Sequence, residues 1–525
     1  MKSLFSKAID KYLNSFRYPR NDKIAKFVII ILNFVLLLRV VSYAWVTDDA
    51  FISFRSVINF VQGFGPVYNV GERVQSFTHP LWFLLLSLGG WMNLNLYFWA
   101  ITLGVVFTIG LLWIFYRTFQ KSGNLFCYIL VLITLIFSES FLTFQTSGLE
   151  NSLINILVAT FFYLYIFGDQ EETKGFSLLM FVGSLILLNR MDNIVIIILP
   201  LLHAFISKRD KVIKKLKVTV LSFLPIILWL CFSVIYYGFL FPNTKYVKAG
   251  GRTLVDSIMQ GSRYILEYAN TEIPIIILLI VATVIVFRRA RQRKYKILIA
   301  SIFLQILYIL LLGGDFMRGR FLVVVSITTV FMVLNLPLVK KVNMRSSYLA
   351  SIIGVFLVLS ATTYYCAFKE QYIVKFPGME NERNFYKEYL ALNLDSYHNY
   401  NNHPWAVAGQ EINISEGDKK TVIIGMNGLR GYFINRNITL IDLVGLTDAF
   451  ISRLPVIDST RTGHFVKDIP PEYLEERVSG TTVAVWKNKA YKALNEHINT
   501  IIRSDKLFSV GRFKAMIWVW KNYGL

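Results

Sequence analysis

The chain has 525 residues, of which 55% are hydrophobic and 17% charged, and its mean hydropathy is +0.50. This composition excludes an ordinary soluble domain and is typical of a protein with several membrane-spanning helices. The formal net charge is +22. The basic residues lie in short loops between apolar runs, where the positive-inside bias of membrane insertion explains them without a nucleic-acid partner.

The apolar runs divide the chain into a membrane region and a C-terminal region. Residues 1–26 are polar and basic, which predicts a cytoplasmic N-terminus. A first span at about 27–46 then places the loop 47–96 on the outer face. An odd total of about eleven spans completes a membrane domain over 27–366, keeps the most basic connections inside and leaves residues 367–525 outside. The other spans are predicted at about 97–116, 124–139, 150–167, 176–190, 193–207, 218–237, 273–288, 297–313, 321–338 and 347–366.

The first outer loop begins with two adjacent carboxylates, Asp48 and Asp49. Apolar residues recur at helical spacing over 51–61, and the segment 63–66 ends this helix because glycine permits a turn and proline cannot continue it. A helix of this length cannot cross a bilayer. We therefore expect it to lie on the membrane surface with its apolar face towards lipid. The apolar run 80–91 is also short, and it predicts a second surface helix.

The C-terminal region, 367–525, mixes strand-like runs with helical stretches at 381–393 and 488–503, which predicts an α+β domain. Its strand-like runs are Thr421–Gly425, Ile438–Leu443, Thr481–Trp486 and Met516–Trp520.

Five polar clusters interrupt or bound the apolar runs, and under the predicted topology all five lie on the outer side. Charged groups at membrane depth are costly and usually line a cavity or a site, so their convergence on one face predicts a common cleft. Each cluster alone has a plainer explanation, such as ion pairs that cap helices, an acid at a helix N-terminus, or lysines that extend to the interface. The clusters contain Asp48, Asp49 and Arg55; Glu150; Arg190 and Asp192; Lys245 and Lys248; and Asp315, Arg318 and Arg320.

The residue types in these clusters suit a narrow chemistry. A carboxylate at the membrane surface can act as a general base on a hydroxyl or bind a cation, and arginine and lysine bind an anionic phosphate. Together they predict transfer from a lipid-linked phosphate donor to a polar acceptor outside the cytoplasm.

The pattern DDAFISFR…HPLW (48–82) resembles the polyprenyl-phosphate-dependent glycosyltransferases of the GT-C fold. Among them it is most similar to the family of terminal β-(1→2) arabinofuranosyltransferases of mycobacterial cell-wall arabinan. The resemblance covers most of the chain in order. It continues in TSGLEN (146–151), NRMDN (189–193), PNTKYVKAG (242–250), GGDFMRGRF (313–321), DLVGLTD (442–448) and RTGHFVKDIPPEY (461–473).

This resemblance implies a multi-span core, surface helices in the first outer loop and an outer C-terminal domain. It also implies that Asp48 and Asp49 are the catalytic pair and that one of them is the base. The residues implied to bind the donor phosphate are Arg55, Arg190, Lys245, Lys248, Arg318 and Arg320. The residues implied to line the cleft are Glu150, Asp192, Asp315, His79 and His464, with a plain surface histidine as an equal alternative for His464.

The sequence therefore predicts a multi-pass glycosyltransferase of the bacterial plasma membrane. It would move a sugar, such as a pentofuranose of the arabinofuranose type, from a polyprenyl phosphate to an envelope glycan or another surface acceptor, with inversion. The predicted partners are this donor, the acceptor and the bilayer, without nucleic acid, and a divalent cation stays open as a cofactor. The alternatives are a lipid or polysaccharide transporter or flippase, and a non-catalytic envelope-assembly protein. A transporter of the two-half kind predicts an internal repeat, which the sequence lacks.

Overall fold

The computed structural model describes residues 23–207, 212–248, 251–289, 292–336, 346–369, 378–392, 399–415, 420–459, 462–483 and 485–524. The predicted basic N-terminal segment, except for residues 23–26, and the basic connection 340–345 lie outside the described residues.

Each apolar run of the predicted membrane region corresponds to a helix or to a pair of consecutive helices. Among the described residues, three helices are long and apolar enough to cross a membrane, or up to six when each bent pair counts as one span. This pattern fits a membrane protein, and the total of eleven spans stays a prediction. In chain order the helices are α1 Lys23–Ser42, α2 Asp48–Val61, α3 Pro80–Trp91, α4 Leu96–Ser122, α5 Leu125–Ile136, α6 Glu139–Gln145, α7 Asn151–Phe167, α8 Thr173–Asn189, α9 Ile194–Ile206, α10 Val212–Ser222, α11 Leu224–Tyr237, α12 Asn243–Lys248, α13 Leu254–Thr271, α14 Ile273–Arg289, α15 Arg293–Leu312, α16 Val323–Leu334 and α17 Ser346–Lys369.

The helices of the first outer loop, α2 and α3, form where the sequence predicts them, but the surroundings of α2 differ from the expectation. Its apolar residues Phe51 and Phe54 are fully buried, and their ring centroids lie 5.3 and 6.4 Å from that of Tyr432 in the C-terminal region. The opposite side of α2 is buried as well, at Ser53 and Arg55. Over residues 50–57 the helix is therefore covered by protein on its apolar side as well as its polar side, which differs from the expected apolar face towards lipid.

Helix α13 occupies a stretch that the sequence analysis treated as a plain outer connection. It meets α14 at an angle of 100°. Its outer side exposes Leu254 and Met259, whereas Tyr264 and Glu267 on the inner side are buried. A Cβ atom at Gly261 would lie 2.2 Å from the carbonyl oxygen of Leu310, so only glycine lets α13 cross the end of α15 this closely.

The C-terminal region contains two small sheets and several helices. Strands β1 (Thr421–Ile424) and β2 (Thr439–Asp442) pair in parallel, and β3 (Val456–Asp458) and β4 (Val466–Lys467) pair antiparallel. The helices are α18 Glu382–Leu390, α19 Pro404–Ser415, α20 Leu429–Phe433, α21 Pro471–Ser479, α22 Lys489–Arg503 and α23 Val510–Tyr523.

Two of the four predicted strands correspond to β1 and β2, and the other two have no strand among the described residues. The prediction at Met516–Trp520 is wrong, because these residues belong to α23, where Met516 and Val519 are buried at helical spacing. The described residues of the run Thr481–Trp486 are irregular, and residue 484 lies outside the description.

The C-terminal region packs on the first outer loop. One buried core joins Val74 of that loop and Phe239 after α11 to Ile441, Leu494 and Met516 of the C-terminal region. Polar contacts extend the same junction, since Glu72 accepts hydrogen bonds at 2.6 Å from both Arg477 and Arg503.

Candidate active site

Residues from four distant segments meet at one buried carboxylate, that of Glu150. Arg190 Nη1 donates to Glu150 Oε1 at 2.6 Å and Arg320 Nη2 donates to the same oxygen at 3.1 Å. Nδ1 of His79 lies 3.1 Å from the second oxygen, Oε2. Arg190 also forms a two-pronged contact with Asp192, with Nε and Nη2 both 2.9 Å from carboxylate oxygens. The structure thus brings together five of the residues predicted to share a cleft.

These contacts hold two guanidinium groups in fixed positions. Buried charges lose much of their hydration, and removing one partner from a buried ion pair commonly costs about 3–5 kcal/mol. Glu150 is buried, so its carboxylate is a counter-charge shared by both arginines away from water, and Asp192 supplies a second negative charge to Arg190. The N–H at Nε of Arg320 has no acceptor among the described residues, which leaves one donor of this arginine for a ligand.

His79 connects this cluster to the first-loop helix. Its Nε2 lies 3.0 Å from the hydroxyl of Ser53 on α2. Ser53 follows Asp49 by four residues, and residues so spaced lie on one face of a helix. The chain of contacts from Ser53 through His79 to Glu150 therefore fixes the face of α2 that carries Asp49. All three of its members are buried, which suits a role in positioning.

The loop 313–321 carries Asp315 and depends on glycine for its shape. Gly314 has a φ of +69°, and a Cβ atom there would lie 2.5 Å from the Tyr264 ring. The hydroxyl of Tyr264 donates to the carbonyl of Met317 at 3.2 Å, which attaches the loop to α13. Asp315 is buried, and its Oδ2 lies 3.7 Å from Arg320 Nη1 and accepts no hydrogen bond from a described residue.

Arg318, two residues before Arg320, enters a different cluster. Its Nε donates to Glu267 at 2.8 Å, and its Nη1 lies 3.7 Å from Glu139. Sequence reasoning missed both acids, because Glu139 stood at the end of a predicted span and Glu267 in a presumed connection. The amphipathic pattern of 254–271, with an acid on its buried side, is the signal that could have found Glu267. The structure therefore separates the two arginines that the sequence treats as neighbours.

Asp48 is bound by the C-terminal region. Its Oδ1 accepts a hydrogen bond of 2.7 Å from the backbone N–H of Leu429, at the start of α20. Gly428 permits this approach, because a Cβ atom there would lie 2.3 Å from Asp48 Oδ2. Burial raises the pKa of Asp48 to about 7; the hydrogen bond from Leu429 opposes this rise, and the charge of Asp49 adds to it.

Asp49 differs from its neighbour. Adjacent residues of a helix point about 100° apart, and Asp49 makes no hydrogen bond or ion pair within the described part of the chain. Both residues are of intermediate exposure, so the contact of Asp48 with Leu429 is what distinguishes them. Of the two carboxylates predicted to be catalytic, Asp49 is thus the one that keeps its oxygens available.

Lys248, at the end of α12, is the cationic counterpart of Asp49. It is exposed, and it forms no hydrogen bond or ion pair with a described residue. Desolvation by the surrounding protein lowers the pKa of its ammonium group, and the charges of Asp315 and Asp49 oppose that change. The carboxylates of Asp315 and Asp49 are therefore within electrostatic range of the Lys248 ammonium group. Lys245 lies elsewhere, with its ammonium 3.5 Å from the centroid of the Phe241 ring.

Arg55, another residue predicted to bind phosphate, is fully buried. Its guanidinium donates to the carbonyls of Tyr68, Gly431 and Ile434 at 3.0, 2.5 and 2.6 Å. Its role at the phosphate stays a prediction that this placement does not favour, because these hydrogen bonds join the first loop to the C-terminal region.

His464 lies beside the loop that carries Asp315. Its ring meets Phe316 edge-on, with 4.5 Å between centroids. At the preceding Gly463, a Cβ atom would lie 3.5 Å from Lys248 Nζ. The loop of His464 thus borders the cationic end of the site, near the predicted cleft.

The segment 442–448 is a structural connection. The side-chain amide of Asn243 donates to the carbonyls of Gly445, Leu446 and Asp448 at 2.7, 3.1 and 3.1 Å. Two segments that carry the resemblance, PNTKYVKAG and DLVGLTD, are therefore bonded to each other, which attaches the C-terminal region to the base of α12.

Among the described residues, no group of three or more His, Cys, Asp or Glu side chains is arranged to hold a metal ion.

Comparison with known proteins agrees with the resemblance. The chain is 26% identical over 323 residues to the terminal beta-(1->2)-arabinofuranosyltransferase of Mycobacterium tuberculosis. The matched region covers 53% of this chain and 50% of that protein. It is 50% identical over 38 residues to the enzyme of the same name from Corynebacterium glutamicum, 7% of this chain and 6% of that protein. The chain thus matches about half the length of the first of these relatives. No family model matches the chain. No solved structure matches it either.

The similarity confirms the resemblance that the sequence motifs indicate: over about half of its length, this chain is similar to the terminal beta-(1->2)-arabinofuranosyltransferases.

Proposed function

We propose that the chain is a membrane glycosyltransferase of cell-envelope synthesis that uses a sugar linked to a polyprenyl phosphate. The observation that carries this proposal is a pair of charges, Asp49 and Lys248, that interact electrostatically and have no hydrogen-bond or ion-pair partner among the described residues, in a site whose other charges are mostly paired. The similarity to arabinofuranosyltransferases supports the reaction class, and the apolar helices support a lipid-linked donor.

In the proposed reaction, Asp49 takes the proton of an acceptor hydroxyl. The hydroxyl oxygen then forms a bond to the anomeric carbon of the donor sugar, and the bond from that carbon to the phosphate oxygen breaks. The electron pair leaves with the polyprenyl phosphate, and Lys248 neutralises the added charge. Because the phosphate needs charge neutralisation rather than a proton, one base and one cation are sufficient. Direct displacement inverts the configuration at the anomeric carbon.

The paired residues support this reaction by position. Glu150 orients the guanidinium of Arg320, whose remaining Nε–H is available to a phosphate oxygen or a sugar hydroxyl. Asp315 Oδ2 can accept a hydrogen bond from the sugar. We assign Asp48 and Arg55 to attachment of the C-terminal region, because both bind its backbone.

We also propose the orientation that the basic loops predict, with a cytoplasmic N-terminus and the site on the outer face. Cysteines at Lys121 and Lys420 test it in a variant whose native cysteines are serines, since both positions are exposed. An impermeant thiol reagent should label intact cells at position 420 and not at position 121. The reverse pattern would refute this orientation.

A donor panel tests the activity. The purified full chain in vesicles is given polyprenyl phosphates that carry arabinofuranose, a hexose or no sugar, together with an envelope glycan, and transfer is read by mass spectrometry. Transfer from at least one of the sugar donors is expected. Donor binding without transfer would favour a non-catalytic assembly protein, and movement of intact donor between leaflets would favour a flippase.

A further inference from the structure

Helix α23 is fixed to the end of an apolar helix. The guanidinium of Arg512 donates to the carbonyls of Ile235 and Tyr236, at 2.7 and 2.9 Å. The indole N–H of Trp520 donates to the carbonyl of Gly238 at 3.0 Å. These carbonyls end α11 and have no partner within that helix. The anchoring therefore places α23 where α11 stops.

The position of α11 defines the surroundings of this junction. Its sequence, LPIILWLCFSVIYY, carries no charge, and with α10 it forms one of the bent pairs that are apolar enough to cross a membrane. Leu228, Phe232 and Ile235 are exposed along it, a surface that suits hydrocarbon. Since α11 is apolar up to its last turn, its end would mark, in a bilayer, the boundary between hydrocarbon and lipid headgroups, and α23 is anchored at that end.

The free surface of α23 combines apolar and basic residues. Val510 is 72% exposed and Ile517 is 61% exposed, and Phe513 lies between them at helical spacing. Lys514 and Lys521 lie on the same exposed side. No acidic residue occurs between Lys506 and the end of α23. Exposed apolar side chains flanked by lysines are the features that attach a helix to an anionic lipid surface.

We propose that this face of α23, together with Phe508 just before it, docks on the anionic headgroup layer of the membrane beside α11. The contact would hold the C-terminal region over the first outer loop. Arg512 joins α23 to α22 through the carbonyl of Ile501 at 2.9 Å, and Arg503 of α22 pairs with Glu72 of that loop. A membrane attachment at α23 is thereby linked to the segment that follows α2. This inference stands on the anchoring of α23 and does not depend on the proposed activity.

Nitroxide labels on the full chain test the docking. Cys127, Cys231 and Cys366 are replaced by serine, and one cysteine is introduced at Ile517 or, as a matched control on the exposed polar side of α22, at Glu496. The protein is placed in vesicles of phosphatidylcholine with phosphatidylglycerol. The label at 517 should collide severalfold more often with oxygen, relative to a water-soluble nickel complex, than the label at 496. A second reporter at Val510 guards against a local disturbance at 517.

The lysines provide the second arm. Lys514→Glu together with Lys521→Glu should reduce the protection at position 517 in anionic vesicles and should have a much smaller effect in phosphatidylcholine alone. Equal nickel access at 517 and 496 in both kinds of vesicle would overturn the proposal. Protection that persists in detergent, with dipolar broadening between labels, would also overturn it and would indicate contact between two copies of the chain.

Discussion

The surroundings of Glu150 and those of Asp49 belong to one candidate site, yet their charges are balanced in opposite ways. At Glu150, one carboxylate accepts hydrogen bonds from Arg190 and Arg320 and contacts His79, all with little or no exposure. At Asp49, a partly exposed carboxylate and the ammonium of Lys248 have no hydrogen-bond or ion-pair partner among the described residues.

This difference separates groups that shape the site from groups that can act in it. A buried charge held in ion pairs is costly to move, so it fixes the geometry of the loops around it. A charge without a partner at a partly exposed position can still interact with a ligand or a transition state. The same contrast divides the two adjacent aspartates, because Asp48 is bound by Leu429 and Asp49 is not.

Replacement of Asp49 by asparagine should have the largest effect on activity. The substitution keeps the size of the side chain and removes its basic form, and loss of a general base typically costs about 10²–10⁴ in rate. Initial rates of sugar transfer in vesicles measure this loss. Unfolding temperature and donor binding should stay close to those of the wild-type protein.

Asp468→Asn is the matched control for that experiment, because Asp468 is exposed and, among the described residues, no hydrogen bond or ion pair joins its side chain to the cluster of Glu150. It should transfer sugar at the wild-type rate. Near wild-type transfer by Asp49→Asn would remove the base from the proposal and favour the non-catalytic alternative.

Glu150→Gln should cause the largest loss of stability. The amide leaves the guanidinium groups of Arg190 and Arg320 without their shared counter-charge, and a broken buried ion pair costs about 3–5 kcal/mol. Thermal unfolding in detergent should show a clear decrease in midpoint, whereas Glu496→Gln on the exposed side of α22 should show little change. A Glu150→Gln protein as stable as the control would mean that the cluster contributes nothing to the fold.

Lys248→Met should weaken binding of the donor. A charge-assisted contact is worth about 1.5–3 kcal/mol, so affinity for polyprenyl phosphate should decrease about tenfold or more. Titration of the lipid phosphate onto protein in nanodiscs gives the dissociation constant. Lys245→Met is the matched control, because Lys245 lies over the ring of Phe241 instead. Equal affinities in the two variants would assign the phosphate contact to other residues.

Sequence patterns predict helices well here, because apolar runs of this length have few other solutions in a membrane protein. They also predict that Glu150, Arg190 and Arg320 meet, because a charged group at membrane depth is costly unless it pairs with an opposite charge. They do not separate Arg318 from Arg320, because the partner of Arg318 is Glu267, and the amphipathic pattern of the helix that carries Glu267 does not say which side chain this acid contacts.

The surroundings of α2 show the same limit. Amphipathic spacing predicts the helix. It does not show whether lipid or another part of the protein covers Phe51. The cover is Tyr432, far away in the sequence. The strand predicted at Met516–Trp520 is wrong for a similar reason. A short apolar run with two tryptophans is compatible with both the helical and the strand period, and only the buried face of α23 shows that it is helical.

The smallest effect concerns Asp48, and it appears in the pH dependence of stability. Its pKa is raised to about 7 by burial in the folded chain, against about 3.9 for an unfolded chain. The folded state therefore binds this proton more tightly, and the stability from this group is complete below about pH 4 and is lost as pH rises through about 7. Asp48→Asn keeps an oxygen for the N–H of Leu429 and carries no charge. Unfolding midpoints between pH 4 and 8 should then decline less with pH in this variant than in the wild-type protein, while sugar transfer changes only severalfold.

Asp48→Ala removes the acceptor and should cost about 1 kcal/mol, as a lost helix cap does. If Asp48→Asn instead abolished transfer as fully as Asp49→Asn, the division between a structural and a reactive aspartate would be wrong, and both carboxylates would belong to the reaction.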